Sequence, residues 1–334
     1  MTTTIPARAE LMRLLTAKWQ APVVAVLAEL GVADHLTAGP RTAAELAGAV
    51  GAHPRALHRV LRAAASLGLF TQDGAGRFGL TPAAECLRSD VPGSLRPAAV
   101  MFGLEPFWSP YAHIRHSVMT GEPAFEKTFG TSIYQHLAEH PEHAAVFGAA
   151  AAAFHADGIE EIAAGHDWSR YGTVVDVGGG TGPLLAAILG RHPGVRGVLF
   201  ELPDLVERAR GELAELDGRV ELVAGDFFAG VPTGDAYLVK SCLHNFADDQ
   251  AVALLRVIRE AMPAGAGLLV AETVVPAGDG PHYAKLDDVE MLVIAGGADR
   301  DESEYTDLLA AGGFAVTSLT PCGDRFTLIE AEPR

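Results

Sequence analysis

Cysteine is scarce in this chain. Cys86, Cys242 and Cys322 are widely spaced, odd in number and form no C-x-x-C pair. That argues against a disulfide framework and predicts reduced thiols in a cytoplasmic protein. Positive charge is also short: 25 Lys and Arg stand against 42 Asp and Glu, a formal net charge of −17. Phosphate backbones need a basic surface, so no nucleic-acid partner is expected. No uninterrupted apolar run reaches the length of a membrane span, and the longest apolar helical candidate, Ala144–Phe154, is far too short. Residues 1–15 mix Arg8, Glu10 and Arg13 with few apolar residues and lack the core of a signal peptide. No membrane partner is expected.

What is present is enough apolar residue for two folded domains: 334 residues with 49% hydrophobic content. The first third reads as helical, with Leu15, Val23, Leu27, Leu30 and Leu36 at helical spacing. Thr42-Ala-Ala-Glu45 offers a capping box for a short helix. A turn at Gly51–Pro54 and a second helix from about Arg55 to Leu67 follow, and Leu69–Phe78 around Asp73-Gly74 reads as a hairpin. Helix, turn, helix, hairpin is winged-helix architecture. Residues 90–160 read as helical and carry aromatics. From about residue 172 the pattern alternates. Strands are predicted at 173–177, 197–201, 220–224, 236–240 and 267–272, with helices near 184–190, 205–216, 248–261 and 302–311. Two further strands, 315–319 and 326–331, close the chain. Such alternation predicts an α/β domain built on a parallel sheet, whose ligands sit beyond the carboxyl ends of the strands.

The first of those strand ends is the most informative. Asp176 precedes Gly178, Gly180 and Gly182, and bare backbone there lets a nucleotide-like ligand approach. A dinucleotide fingerprint needs glycine at the sixth position of the loop, where this chain has Pro183. The G-x-G-x-G spacing is instead typical of S-adenosylmethionine sites, although a plain tight turn has the same composition. The second strand ends at Glu201, placed to accept both hydroxyls of a ribose, and the third at Asp226-Phe227-Phe228, an acid and rings suited to an adenine. Lys240 and then His244 follow the fourth, and Glu272 ends the fifth. Acids at three consecutive strand ends suit a sulfonium better than a pyrophosphate.

Taken together, Asp176-Val-Gly-Gly-Gly-Thr-Gly182, Phe200-Glu-Leu-Pro203, Gly225-Asp-Phe-Phe228, Lys240-Ser-Cys-Leu-His-Asn-Phe246, Glu272-Thr-Val-Val-Pro276, Gly296-Gly-Ala-Asp-Arg300 and Ser117-Val-Met-Thr-Gly-Glu-Pro123 resemble the two-domain small-molecule O-methyltransferases of plant phenol and bacterial antibiotic-tailoring type. The resemblance runs essentially full length. It implies a Rossmann-like class I methyltransferase domain with an antiparallel last strand, over about 166–334. It implies an N-terminal all-helical winged-helix dimerisation domain over about 1–100, and a helical linker and substrate-pocket region over 101–165. A homodimer, S-adenosylmethionine as cofactor, S-adenosylhomocysteine as product and a small aromatic hydroxylated substrate come with it. The family's base maps onto His244, and its orienting acids onto Glu272 and Asp299. The cofactor residues map onto Asp176, Gly178, Gly180, Glu201, Asp226, Phe227 and Lys240. Two departures stand out: Asn245 replaces the usual Asp after the histidine, and Asp299 is one methylene shorter than the usual Glu.

A phenol is mostly protonated at neutral pH, so a neutral imidazole that takes its proton during transfer suits the reaction. His244 is that expected base, held by Glu272 with help from Asp299. Met101, Phe102, Trp108, Phe154, Asn245 and Met291 are expected substrate contacts by position alone. Plainer readings accompany each residue. His244 also fits a structural histidine, Cys242 a buried strand residue or half of a Cys–His pair, and Asp287, Asp288 and Glu290 a solvated helix face. His113 with His116 and His136 with His140 stand at helical spacing without acid or cysteine partners, so no metal is expected. Two rival functions remain open: a relative that binds S-adenosylmethionine but has lost methyl transfer, catalysing hydroxylation, decarboxylation or cyclisation, and a winged-helix DNA regulator using Arg55, Arg59 and Arg62.

Overall fold

The computed structural model describes residues 6–216 and 218–334, so residues 1–5 of the first expected domain lie outside the described residues. The chain divides into two units, one of residues 6–112 with Tyr134–Phe154, the other of His113–Ile133 with His155–Arg334.

In the first unit, Thr42 accepts from the amide of Glu45 at 3.3 Å and Glu45 returns a bond to the amide of Thr42 at 2.8 Å. This capping box starts helix Ala43–Val50, and Gly51, at φ +71°, ends it in the left-handed conformation that glycine tolerates. Helix Pro54–Ser66 then runs into a small sheet of β1 (Arg41–Thr42), β2 (Phe70–Gln72) and β3 (Arg77–Leu80), in the order β1-β3-β2. The helical domain therefore carries the predicted hairpin as a wing. Leu27, Leu46, Leu57, Leu61, Phe70 and Phe78 pack beneath it. Arg55, Arg59 and Arg62 lie exposed on the second helix. The helical stretch Ala7–Glu29, 23 residues containing an 18-residue window of mean hydropathy 1.2, is long and apolar enough to cross a membrane by length and composition alone. The sequence reading passed over it because charged residues interrupt it. Apolar side chains of its first half are turned outward, with Leu11, Leu14, Leu15 and Trp19 all more than half exposed, while Ala25, Leu27 and Ala28 are buried.

The second unit is built on β4 (Thr173–Val177), β5 (Arg196–Glu201), β6 (Val220–Ala224), β7 (Ala236–Lys240), β8 (Gly267–Glu272), β9 (Phe314–Cys322) and β10 (Phe326–Pro333). Their order is β6-β5-β4-β7-β8-β10-β9, parallel throughout except for β10, which inserts antiparallel between β8 and β9. The five expected parallel strands are present within a residue of their predicted bounds, and the last two run longer.

Helices cover both faces, so the central strands are apolar on both sides rather than alternating with solvent. Successive residues of β4 enter different cores. Val175 and Val177 join Tyr237, Val239, Leu254 and Ile258, while Val174 joins Leu185, Ile188, Leu238 and Leu269. The strand order reverses beside β4, with β5 on one side and β7 on the other. There the connections diverge to opposite sides and leave a crevice beyond the strand ends.

Tyr237 shows what burial demands of a polar atom. Its hydroxyl accepts from the amide of Gly234 at 3.2 Å and donates to the carbonyl of Ala261 at 3.1 Å, with the side chain fully buried. Tyr237→Phe leaves both backbone groups without their partner. A loss of about 1–3 kcal/mol in urea unfolding of the intact chain is expected; an unchanged midpoint would show that both groups find other partners.

Candidate active site

Chemistry-bearing side chains gather at the carboxyl ends of β4, β5, β7 and β8, all within the second unit. The glycine loop leaves β4 with Gly178, Gly180 and Gly182 at φ +71°, +62° and +82°, so all three adopt the conformation that side chains avoid. A Cβ on Gly179 would strike the carboxylate of Asp176. Asp176 is 1% exposed and its Oδ2 has no hydrogen-bond partner among the described residues. Burial, then the neighbouring Glu201, pushes its carboxyl up to about 7, against the opposing pull of Lys240. Glu201 accepts from the amides of Gly180 at 3.0 Å and Leu202 at 2.7 Å, which ties the end of β5 to the loop after β4. Burial raises its carboxyl above the usual range despite those two bonds.

Asp226 accepts from the amide of Phe228 at 2.9 Å, shaping the loop after β6. That loop presents Phe227 beside Gly178, where an added Cβ would stand 3.5 Å from the ring. Phe227, Phe228 and Phe246 meet edge to face with centroids 5.0 to 6.0 Å apart. Lys240 donates to the carbonyl of His155 at 3.2 Å and lies 4.2 Å above the Phe326 ring. Burial, then Arg325, lowers its ammonium to about 8.

His244 sits in a short turn, Leu243–Asn245, just beyond β7. Its Nδ1 meets Oδ1 of Asp299 at 3.1 Å. Glu272 does not hold the ring by a hydrogen bond, as the sequence reading expected. Its Oε1 accepts from the amides of Cys242 at 2.9 Å and Leu243 at 2.8 Å, so it fixes the backbone that carries the ring. Burial alone would lower the imidazole's pKa, but the charges of Glu272, Asp299 and Asp287 outweigh it and raise the value above 6.5. Asp287, which the sequence reading left to solvent, is half-buried. One oxygen each from Asp287 and Asp299 and one ring nitrogen of His244 lie within 4.8 Å of one another. Tyr283 donates to Asp287 at 2.9 Å, and Asp288 accepts from the amide of Asp299 at 3.1 Å.

Several groups hold this turn. Ser241 takes φ +49°, a strained value for a residue with a side chain. Asn245 was expected to touch substrate, but its amide is turned inward, donating to the carbonyls of Ser241 at 3.1 Å and Cys242 at 3.3 Å. A carboxylate has no proton to donate to a carbonyl, which gives asparagine a physical reason at this position. Arg300, 3% exposed, donates to the carbonyls of Leu243 at 3.2 Å, Phe246 at 2.9 Å and Ala298 at 3.1 Å, and pairs with Asp248 at 2.7 Å. The sequence reading gave this arginine no role, and a lone cation inside an acidic motif was its only signal. Cys242 is buried. Burial, then Glu272, pushes its thiol far above the ordinary range, so it remains a neutral packing group and no nucleophile forms with His244.

Of the remaining expected contacts, Met291 opens a π-helical turn, Met291–Ala295, that packs against the His244 turn. Met101, Phe102, Trp108 and Phe154 belong to the first unit. There Met101 is buried, Phe102 lies edge-on to Phe154 at 6.0 Å, and Trp108 is 43% exposed.

A G-x-G-x-G loop at a sheet's switch point, acids at successive strand ends and a half-buried His244 paired with a buried Asp299 fit a class I methyltransferase fold. Comparison with known proteins gives the family. An O-methyltransferase domain matches residues 111–315, and an O-methyltransferase dimerisation domain matches residues 12–90. The chain is 41% identical over 332 residues to the phenazine O-methyltransferase PhzM of Lysobacter antibioticus, covering 98% of this chain and 97% of that one. It is 43% identical to the O-demethylpuromycin-O-methyltransferase of Streptomyces alboniger, covering 96% and 89%. The crystal structure of the O-methyltransferase NcsB1 from neocarzinostatin biosynthesis, in complex with S-adenosylmethionine and 2-hydroxy-5-methyl naphthoic acid, superposes with a TM-score of 0.81 at 36% identity over 94% of this chain and 96% of that one. The chain belongs to the O-methyltransferase family and is an S-adenosylmethionine-dependent enzyme of it.

Gly297 tests the geometry around the turn. Its amide neighbour Ala298 donates to the carbonyl of His244 at 2.9 Å, and a Cβ on Gly297 would collide with that same carbonyl. Gly297→Ala must part the two segments and with them His244 from Asp299. A fall in kcat of about 100-fold is expected, in line with an ångström-scale misplacement, with S-adenosylmethionine affinity within about twofold of the parent. Unchanged kcat would show that the close approach does not position the ring.

Proposed function

We propose that this enzyme methylates a hydroxyl, a phenolic one, on a small aromatic secondary metabolite, with His244 as general base. S-adenosylmethionine supplies an electrophilic methyl group on a sulfonium. The observation that carries the reading is the contact of His244 with the buried Asp299 beyond β7; the charges of Glu272, Asp299 and Asp287 outweigh burial and raise the imidazole above its ordinary pKa. Asp299 accepts from Nδ1, which fixes the tautomer with its lone pair on Nε2 and stabilises the imidazolium that forms when the ring takes the phenol's proton. Glu272 contributes through the backbone and through its charge. Met291 and the aromatic side chains Phe102, Trp108 and Phe154, with Met101, are the substrate contacts we propose; Asn245 acts by holding the turn.

The cofactor residues fit the group. Gly178 and Gly180 give bare backbone, and Glu201 keeps acceptor capacity beyond its two amide bonds for a ribose diol. Asp226 with Phe227 offers an acceptor and a ring for adenine, and Asp176 lines a cleft with Gly178 and Lys240 where its carboxylate would attract a cationic amine. The dimer we propose uses the outward apolar face of Ala7–Glu29, in line with the dimerisation domain that matches from residue 12. Residues 1–100 then serve dimerisation, 101–165 link and contribute substrate contacts, and 166–334 carry the chemistry, in a cytoplasmic enzyme whose three cysteines are free.

Labelled S-adenosylmethionine incubated with a panel of phenols decides the reaction class. Label in the product is expected. Its absence across the panel, with the cofactor bound and the substrate altered, points instead to the relative that has lost transfer. His244→Ala is expected to lower kcat by about 100-fold or more while cofactor affinity holds. In the parent enzyme the acid limb of kcat/KM should titrate above 6.5, because the neutral base exists only above the raised pKa. Asp299→Asn removes one of the charges that raise it, so the limb moves to lower pH as kcat falls. A limb that stays in place would remove His244 from the rate equation.

Asp176 gives a separate test. Its carboxyl is raised from 3.8 to about 7 in the fold, so between those values the folded chain holds a proton that the unfolded chain has released. Stability contributed by this group therefore declines as pH rises across that window. A cation bound beside it favours the ionised form and reverses the trend for binding. Affinity for S-adenosylhomocysteine should improve as pH rises from about 6 to about 8, approaching tenfold per pH unit where one full proton is released. Asp176→Asn should flatten that dependence; an equal slope in the variant would assign the proton elsewhere.

A further inference from the structure

Outside the methyl-transfer site, three histidines come together in the first unit. His136 lies on helix Ile133–Glu139, His143 on helix Pro141–His155, and His140 at the break between them. One ring nitrogen of each lies within 4.8 Å of the others. Nε2 of His136 and Nδ1 of His143 are 3.1 Å apart, close to the separation of about 3.3 Å between two nitrogens on a tetrahedral Zn²⁺. Nδ1 of His140 faces the carbonyl of His136 at 2.8 Å. A carbonyl can only accept, so that nitrogen carries the proton and the lone pair of the neutral ring falls on Nε2. A backbone carbonyl fixing the tautomer in this way is the usual second partner of a metal-binding histidine.

We propose that His136, His140 and His143 form a binding site for a divalent transition ion, with Zn²⁺ as its representative. Imidazole nitrogen without thiolate suits Zn²⁺, Cu²⁺ and Ni²⁺, and excludes Mg²⁺ and Ca²⁺, which require oxygen. His136 is 6% exposed, so the cluster reaches into the interior of the unit. Glu139 and Glu142 add negative potential around it. The rings stand within 19° of parallel with centroids 4.0 to 5.4 Å apart. Their lone pairs converge on one ion once the rings tilt about χ2, a broad and soft torsion for histidine. Water completes the coordination. The ion is structural: it clamps the two helices across Pro141. The second of these helices stacks Phe147 on Phe107 at 5.9 Å and carries Phe154.

The test uses the full chain, stripped with a chelator and titrated with ZnCl₂ by calorimetry, with Co²⁺ absorption as a report of tetrahedral geometry. One equivalent is expected to bind, with a rise in Tm set by the ratio of free ion to Kd. His143→Ala and, separately, His140→Gln should weaken binding by at least about tenfold, with far-UV circular dichroism unchanged in the ion-free state. His244→Ala, which breaks the His244, Asp287 and Asp299 cluster, should leave it intact. If His143→Ala binds as the parent does, or if only His244→Ala loses binding, the site is elsewhere and the proposal fails. Absence of any saturable binding overturns it equally. His143→Gln repeats the measurement should the alanine variant be poorly folded.

Discussion

The carboxylate of Glu272 is 1% exposed and accepts two successive backbone amides, those of Cys242 and Leu243, through one oxygen. A buried carboxylate without partners is among the most costly groups a fold can hold, so this interaction has to form. Once it forms, β8 and the segment leaving β7 are locked together at their carboxyl ends. The turn that follows must start at Ser241 with φ +49° and has little freedom left before His244. Arg300 then takes the carbonyls on the other side of the same turn, at Leu243 and Phe246, while Ala298 takes that of His244. His244 is held by its backbone from both sides, and its ring is left to the contact with Asp299.

That arrangement sets the electrostatics as well. Glu272, Asp287 and Asp299 all act on the imidazole, and together they overcome a burial effect that would otherwise keep it neutral at lower pH. The same acids repel one another. Asp287 is raised by burial first and by Asp299 next, and Glu272 by burial despite its two amide bonds. An imidazolium formed among them is therefore stabilised by groups already in place before any proton moves, which is preorganisation rather than response. The shorter side chain of Asp299 fits this geometry because its own amide is drawn to Asp288, which fixes where the carboxylate starts.

How much of this was readable from the residues depended on range. The parallel strands were legible because a strand buried on both faces is an unbroken apolar run bounded by glycine and acid, as in Thr173–Val177. The capping box of Thr42 and Glu45 was legible because its bonds span three residues. The glycine loop, Glu201, Asp226 and His244 were legible because each sits at a strand end. Other features required the tertiary fold. Asp287 reads as an exposed helix acid until the Gly296–Asp299 segment brings Asp299 beside it. Asn245 reads as a substrate contact until the turn points its amide at Ser241. His136, His140 and His143 have the i, i+4, i+7 spacing of one helical face, but the structure was needed to show their rings together across the break at His140. The assignment of Glu272 to the ring failed for the same reason: sequence places an acid at the end of β8 but cannot say whether it meets a side chain or two amides.

The glycine loop and the turn that carries His244 lie beside one another. Gly178 lies where any side chain would stand 3.5 Å from Phe227 and 3.6 Å from the sulfur of Cys242. Cys242 in turn gives its amide to Glu272 and precedes His244 by two residues. Phe227 and the Cys242 thiol therefore stand around the space that a side chain at position 178 would enter, beside the turn that carries His244. The thiol suits that position because burial keeps it protonated: it fills space between two charged sites without adding a charge of its own. Glu201 also meets the loop, through the amide of Gly180. The switch point of the sheet thus brings the glycine loop, Glu201 and the His244 turn together through backbone and packing.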